Sequence, residues 1–388
     1  MRYLTAGESH GETLCLIAEG LPSGLALDID KINRDLARRM SGYGRGGRMS
    51  IENDKAHFVA GVRSGLTTGA PIAVLIANRD SENWTDYMRP FGETAAGRQV
   101  THVRPGHADF VGCVKYGHTD ARNVLERASA RSTATVVALG AICRALLENV
   151  GVRIGSHVTG IGTVMSNRKR YGADELIKTA DKSEVRCMDG AVGAKMKARI
   201  DKAKADGDTL GGSVEIVISG LPAAIGSYIS PERRLDAILS GAFMGVQAVK
   251  AVEIGDYEGG TKSGSDCLDE IYADEGGGVK RMTNRACGIE GGMSNGEDVV
   301  IRAVIKPIPT LANGVKTVDI TSGESVSAAS ERSDVCAVPA AAVVLESVAA
   351  RVIADELMRV TGGDTMEEIK ASTVRLREKA KILPLKRQ

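Results

Sequence analysis

Ala134-Thr135-Val136-Val137-Ala138-Leu139-Gly140-Ala141-Ile142-Cys143 is the most apolar run in this chain, and Arg131 and Arg144 bound it. Ten residues are about half of what a membrane-spanning helix requires. The run therefore reads as part of a buried helix. Alanine and leucine recur across 120–149 without a Gly-Pro break, which predicts one long helix over that range.

Strands are expected on both sides of it. Residues 13–19 and 70–77 read as strands upstream, and 152–164, 213–219 and 298–306 as strands downstream. Asp28 or Asp30 is placed to cap a helix carrying Ile29, Ile32, Leu36 and Met40 at helical spacing. Ser230-Pro231-Glu232 reads as a second helix start, and Pro339 opens an alanine- and valine-rich helix reaching about residue 360. Residues 165–206 are charged and helical in character, a surface excursion. The glycine-rich 255–297 reads as mostly loop, and 366–388 as an amphipathic, basic tail. Nothing resembles a linker, so one layered α+β domain over 1–388 is expected.

Composition narrows the function. The 50 basic and 49 acidic residues leave a formal charge of +1, which offers no global attraction to nucleic acid or an acidic membrane surface. Aromatic residues are 3% of the chain, too few for the stacking platforms of single-strand binders. Seven cysteines without a C-x-x-C pair, and an N-terminus without a signal-like apolar stretch, point to a reduced, cytoplasmic setting.

Anion recognition must then be local. Gly42-Tyr43-Gly44-Arg45-Gly46-Gly47 has the form G-x-G-x-x-G, but it follows a helix and contains arginine, so a dinucleotide fingerprint is rejected. It reads instead as a loop carrying Arg45 and Arg48 just after Arg38 and Arg39, an anion clamp. One Arg–phosphate contact contributes roughly 1.5–3 kcal/mol, so several must converge. Three further arginine clusters stand at Arg104-Pro105-Gly106-His107-Ala108-Asp109, at Arg127 to Thr133, and at Arg332-Ser333-Asp334. A helix beginning near Ser129 would aim free N–H groups at an anion. Among six histidines, His10 (in Gly7-Glu8-Ser9-His10-Gly11) and His107 sit in glycine-flanked loops suited to proton transfer. His57, His102 and His157 read as structural, and His118 stands between. No histidine spacing suits zinc, so no metal is expected.

Together these runs resemble the chorismate synthase family. Gly7-Glu8-Ser9-His10-Gly11 through Glu19-Gly20-Leu21-Pro22 is similar to its first signature, Glu126 through Ala141 to its second, and Arg332-Ser333-Asp334 with Cys336 to Ala341 to its third. The likeness spans about residues 1 to 360. Two departures stand out: Cys287 replaces a usual glycine, and Ser132 replaces a usual glutamate.

The resemblance implies a fold with helices packed between antiparallel sheets, a layered β-α-β sandwich with a pseudo-duplicated core, assembled as a homotetramer. It implies 1,4-elimination of phosphate from 5-enolpyruvylshikimate 3-phosphate, giving chorismate, with reduced FMN and no net redox change. NADPH is the implied external electron source. Ser9, Arg39, Arg45, Arg48, Arg104, Ser129, Arg131 and Arg332 are implied to hold the substrate, with Arg39 and Arg45 tied also to a nicotinamide cofactor. Arg127, Ala128, Ser129, Gln247, Ala248, Gly291, Lys306, Pro307, Ile308, Pro309, Thr310 and Arg332 are implied flavin contacts. His10 is assigned to the departing phosphate, His107 to the reduced flavin, and Asp334 to the ring hydrogen. The rival reading is a flavin-independent, phosphoanion-binding transferase or isomerase; a non-enzymatic basic module binding RNA is disfavoured by charge and composition.

Overall fold

The 134–143 run lies in a helical layer enclosed by two antiparallel sheets. The computed structural model describes residues 1–47, 51–256, 260–274, 278–328 and 333–381. The first sheet is built from β1 (Arg2–Ala6), β2 (Thr13–Glu19), β3 (His57–Ala60) and β4 (Ile72–Ala77), in the order β1-β2-β4-β3. Leu14, Leu16 and Ala18 alternate along β2 with outward-facing neighbours, and Ile72, Val74 and Ile76 do the same on β4. That period of two turns one face of the sheet toward the helices.

Between β2 and β3 runs α1 (Ile29–Met40). Asp28 caps it by accepting the N–H groups of Asp30 and Lys31, and Ile32 and Leu36 face the core as expected. The helical segments α2 (Asp109–Tyr116), α3 (Arg122–Ala128) and α4 (Thr133–Asn149) follow. The single long helix expected over 120–149 is interrupted. Ser129 has φ −59° and ψ 141°, outside the helical region, and a short 3-10 turn over Ala130–Ser132 separates α3 from α4. Arg122–Asn149 as a whole is long and apolar enough to cross a membrane, yet most of its apolar stretch is already buried against the rest of the protein.

The second sheet contains β5 (Arg153–Ile161), β6 (Val164–Met165), β7 (Gly212–Ser219), β8 (Val249–Ile254) and β9 (Val299–Ile305), in the order β8-β9-β7-β5-β6. The charged stretch between its strands is less superficial than its composition suggests. There α5 (Ala173–Thr179) and α6 (Gly190–Ala205) bury Ala173, Leu176, Met196 and Ile200. Pro231 opens only a three-residue 3-10 turn, and the helix α7 (Leu235–Met244) begins after it. Within 255–297, hairpins pair Ile271–Ala273 with Val279–Arg281 and Ile289–Glu290 with Met293–Ser294, so the loop expectation holds only in part. The last helices are α8 (Val338–Thr361) and α9 (Met366–Lys379); the latter has a Thr365–Glu368 capping box and an inner face of Met366, Ile369 and Thr373.

Helices α4 and α8 meet at close range. A Cβ on Gly140 would stand 2.3 Å from the Ser347 Cβ, so only glycine fits there. One apolar cluster runs from Leu16 and Ile76 through Leu139 and Ile353 to Ile216 and Ile301, joining both sheets across the helices. Inside it sits Glu346 of α8, fully buried. It accepts hydrogen bonds from Arg38 Nη2 (3.0 Å) and Ser156 Oγ (2.7 Å), pairs with Arg144, and has Arg186 Nη2 at 3.6 Å. A carboxylate this deep requires such partners. Arg38 therefore serves the core rather than the loop that follows it.

Candidate functional site

The β1–β2 turn brings His10 inward. Gly7 takes φ +112°, and a Cβ there would lie 2.5 Å from the Thr13 carbonyl oxygen, so the tight turn requires glycine. Asn78 steadies the turn by donating to the carbonyls of Ser9 and Gly11 (2.9 and 2.8 Å). The His10 backbone N–H donates to Glu126 Oε2 at 2.8 Å, and Nδ1 lies 2.7 Å from Oε1 of the same carboxylate. The imidazole stacks on Trp84 with ring centroids 3.8 Å apart, and Asp80 Oδ2 is 4.0 Å from Nε2. Burial works against ionisation of Glu126, but the hydrogen bond and charge of His10, with Arg122, outweigh it and hold the carboxyl below the usual range.

Ser129, at the break between α3 and α4, ties this turn to the arginines. Ser9 Oγ donates to Ser129 Oγ at 3.0 Å, and the same oxygen accepts the Arg131 backbone N–H at 3.2 Å. Arg131 Nη1 pairs with Asp54 (2.6 Å) and Glu52 (3.2 Å), while its buried Nε and Nη2 meet no hydrogen-bond partner among the described residues. Arg39, on the last turn of α1, donates to Thr133 Oγ1 (2.9 Å) and the Ala130 carbonyl (3.0 Å), and also faces Asp54. Burial lowers Arg39 to about 10, and the like charges of Arg131 and Arg45 add to the effect against Asp54 and Glu52. These three cations share one pocket of potential, and an incoming anion would relieve their repulsion.

Asp334 joins them. Its Oδ2 pairs with Arg45 at 2.6 Å, and its Oδ1 accepts the Gly46 N–H at 2.7 Å. Arg48 and Arg332, both expected to bind substrate, lie outside the described residues.

His107 belongs to a second group. Asp109 accepts from Arg104 Nε (2.8 Å) and Nη2 (3.1 Å) and pairs with His107 Nδ1, while Arg104 Nη1 donates to Thr310 Oγ1 at 3.3 Å. Burial opposes the charge on Asp109, but His107 and Arg104 hold its carboxyl well below the usual range. Arg104 is thus clamped by a neighbouring carboxylate and orients His107. Lys306 Nζ donates to the Gly106 carbonyl, and its backbone N–H to the Ala248 carbonyl at 2.8 Å. Gln247 Nε2 in turn donates to Ser132 Oγ at 3.2 Å, so a continuous run of contacts joins Ser129 to His107.

Several expected flavin contacts meet along that run: Ser129, Gln247, Ala248 and Lys306 through Thr310. Burial and the nearby Lys250 lower the Lys306 ammonium from the usual lysine value. A pair of mutually repelling lysines is a donor set that suits a phosphate tail. Ala248 has φ +69°, which turns its backbone sharply beside them. Arg127 is exposed and donates to Thr5 at the end of β1. Gly291 is set apart: it lies in a hairpin turn whose next residue packs on Arg234 and Ser227.

Elsewhere, His157 is buried 3.3 Å from Glu215 and His102 lies 3.3 Å from Asp319, both in structural surroundings. His57 is on β3, and His118 follows the end of α2. Cys287 is buried at φ +52°, with Arg170 Nη1 3.4 Å from its sulfur. Sequence reading missed Glu52, Asp54, Trp84 and the roles of Asp80 and Glu126. Their partners lie tens of residues away, so no local spacing betrays them; only the proximity of Glu126 to Ser129 hinted at a role.

The chain matches the family model described as chorismate synthase over residues 1–358. It is 50% identical over 370 residues to a chorismate synthase of Anaeromyxobacter sp. (strain K), covering 95% of this chain and 97% of that protein. It is 48% identical over 388 residues to a chorismate synthase of Bacillus cytotoxicus, covering 98% and 100% respectively. A crystal structure of chorismate synthase is similar at TM-score 0.79 with 36% identity, over 98% of both chains.

Proposed function

This chain belongs to the chorismate synthase family and is a lyase of aromatic amino acid biosynthesis, and from that premise we propose that it converts 5-enolpyruvylshikimate 3-phosphate to chorismate and inorganic phosphate by 1,4-elimination, the last common step of the shikimate pathway. The observation that carries the reading is the joining, through Ser129, of His10 to the buried arginines. A substrate with two carboxylates and a phosphate needs several cations held together out of water, with a proton donor beside them. Arg39, Arg45 and Arg131, with Arg48 and Arg332, supply the charge. Ser9 and Ser129 supply hydrogen bonds, and Arg104 acts through His107.

His10 serves the departing phosphate as proton donor or charge stabiliser. An incoming carboxylate competes with Asp334 for Arg45, which releases Asp334 to help accept the ring hydrogen. Gln247, Ala248, Lys306 through Thr310 and Arg127 through Ser129 would hold reduced FMN, with Gly291 at its margin and His107 setting its protonation. When bound, the flavin supplies transient electron density to the allylic system without net redox change. NADPH would reduce it from outside the site, with Arg39 and Arg45 available to a nicotinamide phosphate. The chain is read as one domain over 1–388, working as a homotetramer in the cytoplasm, a setting consistent with its free cysteines.

The test is an anaerobic assay with chemically reduced FMN, following chorismate absorbance. Product that forms only with reduced FMN is expected. Turnover independent of flavin, or none with it, would return the reading to a flavin-independent phosphoanion enzyme. Single replacements His10→Ala, His107→Ala and Asp334→Ala should each lower kcat by about 10²-fold or more, with substrate and FMN binding retained. Unchanged turnover removes that residue from the mechanism.

A further inference from the structure

His10 is held more tightly than a proton donor in a loop requires. Both oxygens of Glu126 engage it, one at the backbone N–H and one at Nδ1. Glu126 is itself buried at 3% exposure on α3, with Arg122 Nη1 3.4 Å from Oε1. On the ring face, Trp84 stacks at 3.8 Å and 27°. The indole is pinned in turn by two guanidinium groups, Arg98 at 3.9 Å and Arg122 at 4.9 Å from its centroid. Among the described residues, charged groups on this side of the imidazole include Glu126 and Arg122 from α3 and Asp80 from the turn after β4, with Arg98 beyond the indole.

We propose that Glu126 and Trp84 are the positioning residues of His10: Glu126 keeps a proton on Nδ1 and Trp84 fixes the ring plane, so that proton exchange with the leaving phosphate runs through Nε2. An ionised carboxylate only accepts, so a nitrogen 2.7 Å from it must carry hydrogen. With Nδ1 committed, Nε2 is the nitrogen that gains or loses a proton. The balance is simple: the Nε2–H bond breaks as an O–H bond to the phosphate forms, and the electron pair stays on Nε2. The phosphate as acceptor rests on the function proposed above; the tautomer and ring plane rest on geometry alone.

Trp84 is the single tryptophan of the chain, so its emission reports on this site without turnover. An imidazole stacked on indole quenches it. Emission of the full-length protein at fixed pH should therefore rise in His10→Ala, and should rise partway in Glu126→Gln, where the ring is no longer held against the indole. In Glu126→Gln kcat should fall about tenfold or more with KM changed less than about threefold. Glu126→Asp, which keeps an accepting carboxylate, should return both readouts toward those of the parent chain. It also serves if the glutamine variant fails to fold. Unchanged emission in folded Glu126→Gln, no return in Glu126→Asp, or emission unaltered in His10→Ala overturns the proposal. Raised emission in Glu126→Gln of a protein whose parent chain makes no chorismate supports the positioning role and overturns the functional reading instead.

Discussion

Cys287 has its backbone and its side chain at odds. It occupies φ +52°, a region that costs a non-glycine residue about 1–2 kcal/mol, while its side chain is wholly buried beside Ala173, Leu176, Val217 and Val300. Glycine at this position would relieve the strain and leave a small void. Cys287→Gly should therefore alter stability by less than about 1 kcal/mol, while Cys287→Val, β-branched and harder to hold at positive φ, should lose more than about 1 kcal/mol. Urea titration of both variants decides the matter. Ser132 is simpler. Its hydroxyl sits between the Ser129 carbonyl and Gln247, so the chain keeps a polar link at that point with a neutral group.

At the scale of elements, the packing of α4 on α8 sets the spacing of the two sheets. Gly140→Ala adds a good helix former, worth about 1 kcal/mol in an exposed helix, but its Cβ collides with Ser347. Overpacking of about 1–3 kcal/mol should win, and a lowered melting temperature is expected. Glu346 joins the same helices electrostatically. Burial opposes its charge, but Arg144, Arg38 and Arg186 hold its carboxyl well below the usual range. With a depressed folded pKa, its contribution is complete above the unfolded glutamate value of about 4.3 and is lost as pH falls through the folded value. Glu346→Gln should cost about 3–5 kcal/mol at neutral pH and flatten the acid limb of a stability–pH curve. An equal acid slope in parent and variant would contradict this.

For the whole molecule, exposed apolar side chains gather on the helix that follows the second histidine group. Phe110, Val111, Val114 and Tyr116 of α2 are between 51% and 70% exposed. Contiguous apolar surface of this kind marks an association face. Light scattering should return a particle near four times the 40.8 kDa of one chain, and Val114→Lys should shift it to a smaller species. Because α2 begins at Asp109, which clamps Arg104 and His107, such a variant should lower activity through the site as well. A monomeric parent chain would remove assembly from the proposal.

Much of this was legible in the chain. Short apolar runs mark β2 and β4, Asp28 or Asp30 marks the start of α1, and the run from Ala134 marks the core helix, because each depends on near neighbours in sequence. The glycine-flanked His10 and His107 and the clustered arginines were legible for the same reason: turn geometry and charge are local. What the linear order could not reveal was pairing at a distance. Glu126 under His10, Asp54 between Arg39 and Arg131, Asp334 on Arg45, and Glu346 amid three arginines all join residues brought together by packing. Even the break at Ser129 follows from outside its helix, since its hydroxyl meets Ser9 across the fold. Periodicity and turn chemistry are short-range and can be read along a sequence; a buried charge takes its partner from whichever element folds against it, and that choice is made in three dimensions.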